Sequence, residues 1–158
     1  MTRTRSEYRM SPIGVASARV PFATVHPDEQ QRDVLAVLML DGYRNTIDDE
    51  GESLDDACSA IDYYLASIVR LHSYVMLDGP DLVAFAFVVV VADVHYIDPV
   101  VVASARKRLG FGDAVVRLCL GSLVGAGVAE IGAVITDCNV ASERLFIKLG
   151  FCRHGSWT

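Results

Sequence analysis

The sequence lacks the features that mark metal-binding, exported or membrane proteins. Its four cysteines, Cys58, Cys119, Cys138 and Cys152, form no C-x-x-C pair, and this spacing argues against a zinc site. The most apolar run, residues 82–92, is too short to span a bilayer and predicts a buried strand instead. No apolar segment of sufficient length near the start predicts an export signal. We therefore expect a reduced, cytoplasmic protein without a metal and without a membrane partner.

An excess of positive charge is also missing. Lysine and arginine number 14 against 20 acidic residues, which gives a formal net charge of −6. Because nonspecific binding to nucleic acid depends on basic side chains, this balance excludes it as the main activity. The chain has 158 residues, of which 52% are hydrophobic, and this predicts one globular domain with a substantial core.

The chain divides into a short leader and one domain. Residues 1–16 carry mixed charge and little periodicity, which predicts a mobile leader, and residues 17–158 form a single mixed α/β domain. Apolar periodicity and turn residues predict the order β-α-α-β-β-β-α-β-α-β. The predicted strands cover residues 19–25, 73–77, 82–92, 95–103, 130–136 and those from 151, and the helices cover about 26–42, 53–68, 113–124 and 139–149. Pro99 predicts a strand start, an edge or a bulge, because proline lacks a donor for the sheet.

A glycine-containing turn lies between a predicted strand and a predicted helix at residues 107–112, reading KRLGFG. Glycines let backbone N–H groups approach an anion, and the following helix adds its positive N-terminal end. Lys107 and Arg108 add positive charge, so this segment is a candidate pyrophosphate cradle. The same pattern is also that of a simple connector. No Gly-Lys-Ser/Thr follows it, which excludes a Walker A loop.

A second segment, residues 139–151, reads NVASERLFIKLGF. By itself it predicts a helix that is capped by Asn139 and ends at Gly150. Together, the two segments resemble the GNAT (N-acetyltransferase) superfamily. That family has a phosphate loop of the form Arg/Gln-x-x-Gly-x-Gly/Ala and a later helix of the form Asn-x-x-Ala-x-x-Leu-Tyr-x-Lys-x-Gly-Phe. Leu145, Lys148 and Phe151 match the second pattern as well, and the resemblance covers about residues 19–155.

The resemblance implies a GNAT-like fold and acetyl-CoA as co-substrate. The pantetheine arm would pair with one strand, where that strand separates from residues 130–136. The pyrophosphate would bind the main chain of the glycine-containing turn, and the last helix would line the thioester. The implied cofactor-binding residues are Val100, Val101, Val102, Ala103, Lys107, Arg108, Leu109, Gly110, Phe111, Gly112, Asn139, Ser142 and Phe146.

Three positions depart from the family pattern. Lys107 replaces the usual arginine or glutamine, and Ser104 stands where proline is frequent. Phe146 replaces a tyrosine that is thought to protonate the leaving thiolate. A general acid contributes about 10²–10⁴-fold to a rate, so its loss slows a reaction without removing binding. Ser142, Tyr96 or water are the alternative proton donors.

The resemblance places the acceptor against the loop between the first two helices. Tyr43, Asp48 and Glu50 are the candidate substrate-binding residues there, since a carboxylate binds a cationic amine. Glu50 and His95 are the candidate catalytic residues, since either can take the amine proton. The alternatives are a solvated acidic loop before a helix start and a structural histidine.

The predicted activity is transfer of acetyl from acetyl-CoA to a primary amine of a small molecule or peptide, by direct attack in a ternary complex. The rival hypothesis is a catalytically weak acyl-CoA-binding or sensor protein. The closing β-hairpin typical of the family is expected to be missing, which leaves a sheet edge that is filled by a partner copy in a homodimer or by nothing.

Overall fold

The computed structural model describes residues 3–11 and 22–158. This part of the chain forms seven strands, four α-helices and three short 3₁₀ helices. The strands are β1 (Arg5–Met10), β2 (Ala23–Val25), β3 (Tyr74–Asp78), β4 (Asp81–Val91), β5 (Val94–Val102), β6 (Ile131–Thr136) and β7 (Cys152–Trp157). The α-helices are α1 (Arg32–Tyr43), α2 (Leu54–Ser67), α3 (Phe111–Gly125) and α4 (Val140–Lys148).

All seven strands belong to one mixed sheet in the order β2-β3-β4-β5-β6-β1-β7. The pair formed by β5 and β6 is parallel, and the other neighbouring pairs are antiparallel. Side chains of a strand alternate between the two faces, so each face carries its own apolar core. Phe85 and Phe87 of β4 pack with α1 and α2, whereas Ala84 and Ala86 pack with α3 and α4 on the opposite face.

The predicted order of elements is confirmed from β2 onward, and the fold class is the mixed α/β fold that the sequence predicts. The predicted start of the second helix is confirmed, since Ser53 caps α2 in a capping box with Asp56. The first helical segment begins later than residue 26, because Asp28 caps the short helix Glu29–Gln31 and α1 follows from Arg32. The predicted first strand is shorter than expected, since β2 begins at Ala23, and residues 19–21 lie outside the described residues.

The prediction of a mobile leader is wrong for part of its length. Arg5–Met10 form β1, which lies between β6 and β7 and is hydrogen-bonded to both. Tyr8 and Met10 are buried in the core on the α3–α4 face, and this burial holds the strand in place. Residues 12–16 of the predicted leader lie outside the described residues, and the domain boundary at residue 17 stays a prediction.

The edge of β6 that faces away from β5 is covered by β1. The register pairs Arg5 with Thr136 and Met10 with Ile131, so β1 covers the whole of β6. Strand β7 then pairs with the other edge of β1. Among the described strands β7 has no second neighbour, so the expected open edge lies at β7, and its pairing with a partner copy stays a prediction.

The irregularity predicted at Pro99 is a β-bulge. Ala86 pairs with Val100 and Val88 pairs with Ile97, so Asp98 and Pro99 together lie opposite one residue of β4. The Asp98–Pro99 peptide bond is cis. Within residues 3–11 and 22–158, no helix has the length and apolar character needed to cross a bilayer.

Candidate active site

Strands β5 and β6 separate toward their carboxyl ends and form a wedge. The two strands pair only at His95 with Ile131 and at Tyr96 with Gly132. Beyond Tyr96, β5 stays paired with β4 up to Val102, but no described strand pairs with its other edge. The backbone donors and acceptors on that edge are therefore available to an extended ligand. This is the wedge that the sequence resemblance implies for the strand containing Val100–Val102.

A cavity of about 320 Å³ opens at this wedge. It is bounded by the separated ends of β5 and β6, by α1, α2 and the loop between them, and by the start of α4. The charged and polar side chains on its wall are Arg3, Arg5, Tyr43, Asp48, Glu50, Glu52, Asp56, Tyr64, Asp98, Thr136, Asn139 and Ser142. Such a concave site, apolar in part with converging polar groups, is typical of a small-molecule site.

Asp98 is in the bulge of β5, and its carboxyl group lies in the cavity wall. The pKa of Asp98 is raised to about 6, chiefly by burial; the charge of Arg5 lowers this pKa and the charge of Asp48 raises it. Among the described residues, none forms a hydrogen bond or an ion pair with the Asp98 carboxylate. A carboxyl group with a pKa near 6 can both release and accept a proton near neutral pH, which suits a general base.

Two tyrosines stand on the helical side of the same cavity. Tyr43, at the end of α1, and Tyr64, on α2, both line the wall. Burial raises the pKa of Tyr43 well above its usual value, and the nearby charge of Asp98 adds to this shift. Burial likewise raises the pKa of Tyr64, followed by the charge of Asp98. Both phenols therefore stay protonated and remain hydrogen-bond donors at neutral pH.

Asp48 positions the loop between α1 and α2. Its carboxylate accepts hydrogen bonds from the Thr136 hydroxyl at 2.6 Å and from the Asn139 side-chain amide at 3.0 Å. The loop is thereby fixed to the end of β6 and to the cap of α4. Asp48 lines the cavity as predicted for substrate binding, but two protein donors already occupy its oxygens, so its direct role is structural.

Glu50 lies at the mouth of the cavity and is paired. The Arg3 guanidinium is 3.1 Å from the Glu50 carboxylate and also donates to the Asp49 carbonyl oxygen at 2.8 Å. The Glu50 side chain is 61% exposed, so water screens its charge. The remaining acids of the loop are engaged as well, since Glu52 accepts from the Glu50 backbone and Asp56 accepts from Ser53.

His95, the other predicted catalytic residue, lies away from the cavity. Its ring packs edge to face against His72 at a centroid distance of 6.3 Å, and His72 Nδ1 is 2.6 Å from the Ser122 hydroxyl of α3. His95 therefore faces the α3 side of the sheet, whereas Asp98 faces α1 and α2. Strand alternation explains this difference, because residues 95 and 98 are an odd number of positions apart and therefore point to opposite faces of the sheet. A base role for His95 does not fit this placement.

Tyr96 is also placed away from the cavity. Its hydroxyl donates to Glu7 of β1 at 2.6 Å, and Arg9 donates to the same hydroxyl at 3.2 Å. The ring lies directly over Gly132, where an added Cβ would come within 2.3 Å of a ring carbon. Tyr96 thus joins β1 to β5 across β6, and it is not available as the proton donor that the sequence suggested.

The turn at residues 107–112 has the backbone that an anion cradle needs. Arg108 and Gly110 have positive φ angles of 63° and 88°, and Gly110 is the N-cap of α3. No side chain caps the first turn of α3, so its orphan N–H groups point outward from the helix. Arg108, Leu109 and Gly110 are exposed, while Phe111 is buried and anchors the helix.

Two contacts fasten this turn to the end of α1. The Asp41 carboxylate accepts from the Ser104 backbone and from the Ser104 hydroxyl, both at 2.8 Å. The Lys107 ammonium donates to the Gly42 carbonyl at 2.5 Å, where the negative end of the α1 dipole favours a cation. Lys107 therefore holds the turn in position rather than projecting freely. Ser104, which departs from the family pattern, supplies an N–H donor that proline lacks.

The second motif forms α4 and reaches both the cavity and α3. Asn139 caps the helix by accepting from the Ser142 backbone at 3.2 Å, and Asn139, Ser142 and Phe146 line the cavity. At the other end of α4, the Lys148 ammonium is 3.1 Å from the carboxylate of Asp113 in the first turn of α3. Lys148 thus joins α4 to α3, the helix that follows the turn at residues 107–112.

The sequence model of the acetyltransferase (GNAT) family matches residues 22–151. The chain belongs to this family. A comparison with curated proteins found no match. Family membership supports acyl transfer in general and points to an acyl-CoA as the acyl donor.

Solved structures of N-acetyltransferases share the fold of this chain. The GCN5-related N-acetyltransferase from Sphaerobacter thermophilus has a TM-score of 0.73 at 12% identity, over 98% of this chain and 49% of that one. The ribosomal-protein-S18-alanine N-acetyltransferase from Escherichia coli has a TM-score of 0.65 at 18% identity, over 82% and 77%. AAC(6')-Iy in complex with the bisubstrate analogue CoA-S-monomethyl-acetylneamine has a TM-score of 0.64 at 12% identity, over 84% and 92%. The chain spans about half the length of the Sphaerobacter structure.

The GNAT protein described here has site residues that the sequence analysis missed. Asp98 was missed because strand alternation alone does not show which face of β5 borders the cavity, although an acid directly before the strand proline was a usable signal. Arg3 and Arg5 were missed because their segment was assigned to a mobile leader. Both arginines reach the cavity because β1 pairs with β6 in the third dimension, which no local pattern reveals.

Proposed function

We propose that this GNAT protein transfers an acetyl group from acetyl-CoA to a primary amine of a small molecule or peptide, with Asp98 as the general base. The observation that carries the proposal is the Asp98 carboxylate in the wedge between β5 and β6, with a pKa of about 6. The AAC(6')-Iy structure, whose ligand is a bisubstrate analogue, supports a shared site for donor and acceptor on this fold.

The residues of the chain fit an acyl-CoA in three places. The exposed edge of β5 supplies backbone partners for an extended arm. The bend at Arg108 and Gly110, followed by the uncapped first turn of α3, supplies N–H donors for a diphosphate. Ser142 and Phe146 line the end of the cavity that lies next to α4.

Acetyl-CoA supplies an activated acetyl thioester. Asp98 takes a proton from the acceptor ammonium, so that the neutral amine nitrogen forms the new C–N bond while the C–S bond breaks. After the new bond forms, the nitrogen gives up a second proton, which passes through water or the Ser142 hydroxyl in the cavity wall to the leaving sulfur, and Asp98 releases the first proton to solvent. No cysteine is found among the described residues that line the cavity, and Cys138 is exposed outside it, so attack in a ternary complex is favoured over a cysteine acyl-enzyme.

A second function, a weakly active acyl-CoA-binding or sensor protein, is favoured by one observation. Phe146, which stands where the family pattern has tyrosine, is buried and packs against Phe151 at a centroid distance of 5.0 Å. It offers no hydroxyl to a leaving thiolate. Thiol release from acetyl-CoA across a broad panel of amines separates the two functions, because CoA binding without turnover on any amine would contradict the acetyltransferase.

Gly110→Asp tests the anion site directly, with Gly110→Asn as the matched control. Both side chains tolerate the left-handed backbone better than most, and an added Cβ meets nothing within 4 Å. We expect the aspartate to abolish CoA binding by charge repulsion, and the asparagine to keep CoA affinity at least about 10-fold tighter than the aspartate does. Calorimetric titration with CoA measures both. Wild-type affinity in Gly110→Asp would overturn the placement of the diphosphate.

A further inference from the structure

The charged groups in the cavity wall are satisfied with two exceptions. Asp48 is bound by Thr136 and Asn139, and the acids of the α1–α2 loop accept hydrogen bonds or pair with Arg3. Asp98 and Arg5 are left. Among the described residues, neither forms a hydrogen bond or an ion pair, although both line the cavity.

These two groups lie on opposite walls of the wedge. Asp98 is carried by the bulge of β5. Arg5 is the first residue of β1 and is in register with Thr136 at the carboxyl end of β6. Burial raises the pKa of Asp98, and the charge of Arg5 lowers it, which agrees with the position of both groups on the wall of one cavity. They are not close enough to form an ion pair.

A cavity wall with one unpaired carboxylate and one unpaired guanidinium is complementary to a ligand that carries both a cationic and an anionic group. A carboxylate accepts a hydrogen bond from an ammonium, and a guanidinium forms two parallel hydrogen bonds with a carboxylate. Asp98 is partly buried, so leaving its carboxylate without such a partner is unfavourable, whereas Arg5 is exposed and its guanidinium is available to a ligand. A zwitterionic ligand satisfies both at once.

We propose that the acceptor of this GNAT protein is a small amine that also carries a carboxylate, as a free amino acid does. Arg5 binds the carboxylate, and this contact directs the amino group toward Asp98. The inference rests on the proposed acetyltransferase function and deepens it by naming the acceptor class. Arg5 is a specificity-determining residue in this scheme, since it contacts the acceptor away from the reacting nitrogen.

Matched pairs of amines test the proposal. Alanine and ethylamine, histidine and histamine, and phenylalanine and phenethylamine differ within each pair only in the carboxylate. We expect wild-type kcat/KM to favour the amino acid of at least one pair by about 10- to 100-fold, the range for a hydrogen-bonded charge. In Arg5→Gln this ratio should fall toward one, chiefly through a higher KM for the amino acid.

Arg3→Gln is the control, because Arg3 lies on the same wall but is already engaged by Glu50 and the Asp49 carbonyl. We expect it to keep the preference that Arg5→Gln loses. Calorimetric titration of the protein–CoA complex with each amine measures the same preference without turnover. Turnover with no preference for the carboxylate, or a preference that survives Arg5→Gln, would overturn this inference and leave the acetyltransferase standing. A binding preference for the carboxylate that depends on Arg5, without turnover of any amine, would support the ligand class and overturn the acetyltransferase.

Discussion

Burial of the Asp98 carboxyl group lowers the stability of the folded protein and also gives the group a pKa that suits acid–base chemistry. The same burial that raises the pKa of its carboxyl to about 6 makes the ionised form less favourable in the folded protein than in the unfolded chain. Protein residues that perform acid–base chemistry frequently carry such a shift, because the work requires a proton affinity near the ambient pH. At the residue scale, Asp98 is thus the position at which the proposed function and stability oppose each other.

Asp98→Asn should lower activity and raise stability. We expect kcat/KM at pH 7.5 to fall by about 10²–10⁴-fold, because the amide cannot accept the amine proton. Ionisation of the wild-type carboxyl lowers the free energy of unfolding as the pH rises from the unfolded pKa of about 3.9 through the folded pKa of about 6. The variant should therefore be more stable than the wild type at pH 7.5 by up to about 3 kcal/mol.

Denaturant unfolding at pH 4 and pH 7.5 measures this difference. Near pH 4 the gap should nearly close, since the wild-type carboxyl is then largely protonated in the folded protein. Glu50→Gln serves as the comparison, because Glu50 lies exposed at the mouth and should change neither the pH dependence of stability nor the rate to this extent. Parallel stability curves for Asp98→Asn and wild type would argue against a buried, shifted carboxyl group.

At the scale of elements, the end of α1, the start of α3 and the end of α4 meet around the turn at residues 107–112. The end of α1 holds the turn through Asp41 and Gly42, and the end of α4 holds α3 through the ion pair of Lys148 with Asp113. The helix that walls the acceptor cavity is therefore attached to the turn that is proposed to bind the diphosphate. The close approach of α1 to the sheet requires Gly42, where a Cβ would lie 2.7 Å from a Val101 methyl carbon.

Asp41→Ala should loosen the turn and weaken CoA binding. The substitution leaves the Ser104 N–H and hydroxyl without the acceptor that now fixes both. We expect a loss of about 1–2 kcal/mol in the free energy of unfolding and a higher Kd for CoA. Calorimetry with CoA and thermal unfolding check the two effects. Ser104→Ala, which removes the hydroxyl and keeps the backbone bond, should cause the smaller change; a larger effect than that of Asp41→Ala would contradict the assigned contacts.

At the scale of the whole molecule, β1 completes the sheet. It separates β6 from β7, buries two apolar side chains in the core and brings arginine side chains to the cavity. Its Glu7 and Arg9 join β1 to β5 through Tyr96, and Arg9 continues to Glu130 at 2.8 Å. The segment is thus an integral part of the domain and of its candidate active site.

Tyr8→Ala tests this role. Tyr8 is 4% exposed and packs in the α3–α4 core, so removal of the ring should lower the free energy of unfolding by about 3 kcal/mol. Tyr8→Phe keeps the ring and should retain most of the stability. Thermal or denaturant unfolding compares the two. If residues 5–10 formed a mobile leader instead, the alanine variant would unfold at the same midpoint as the wild type.

The sequence by itself determined the order of elements from β2 to β7, the capping of α2 and α4, and the two motifs that identify the family. These features depend on residues that are close together in the chain, such as Ser53 with Asp56 or Asn139 with Ser142. For Pro99 the sequence predicted only an interruption of the sheet, as a strand start, an edge or a bulge, and the register of β5 against β4 decided that it is a bulge.

Only the tertiary structure decided which side chains share the cavity. The position of β1 beside β6 depends on pairing between residues about 130 positions apart, as in the contact of Ser6 with Asp137 at 2.6 Å. That pairing supplies Arg5, and the packing of the sheet decides that the face of β5 carrying Asp98, rather than the face carrying His95, borders α1 and α2. Local patterns report which segments form strands, but the neighbour of a strand and the face of a residue beyond a bulge are set by packing of the whole sheet.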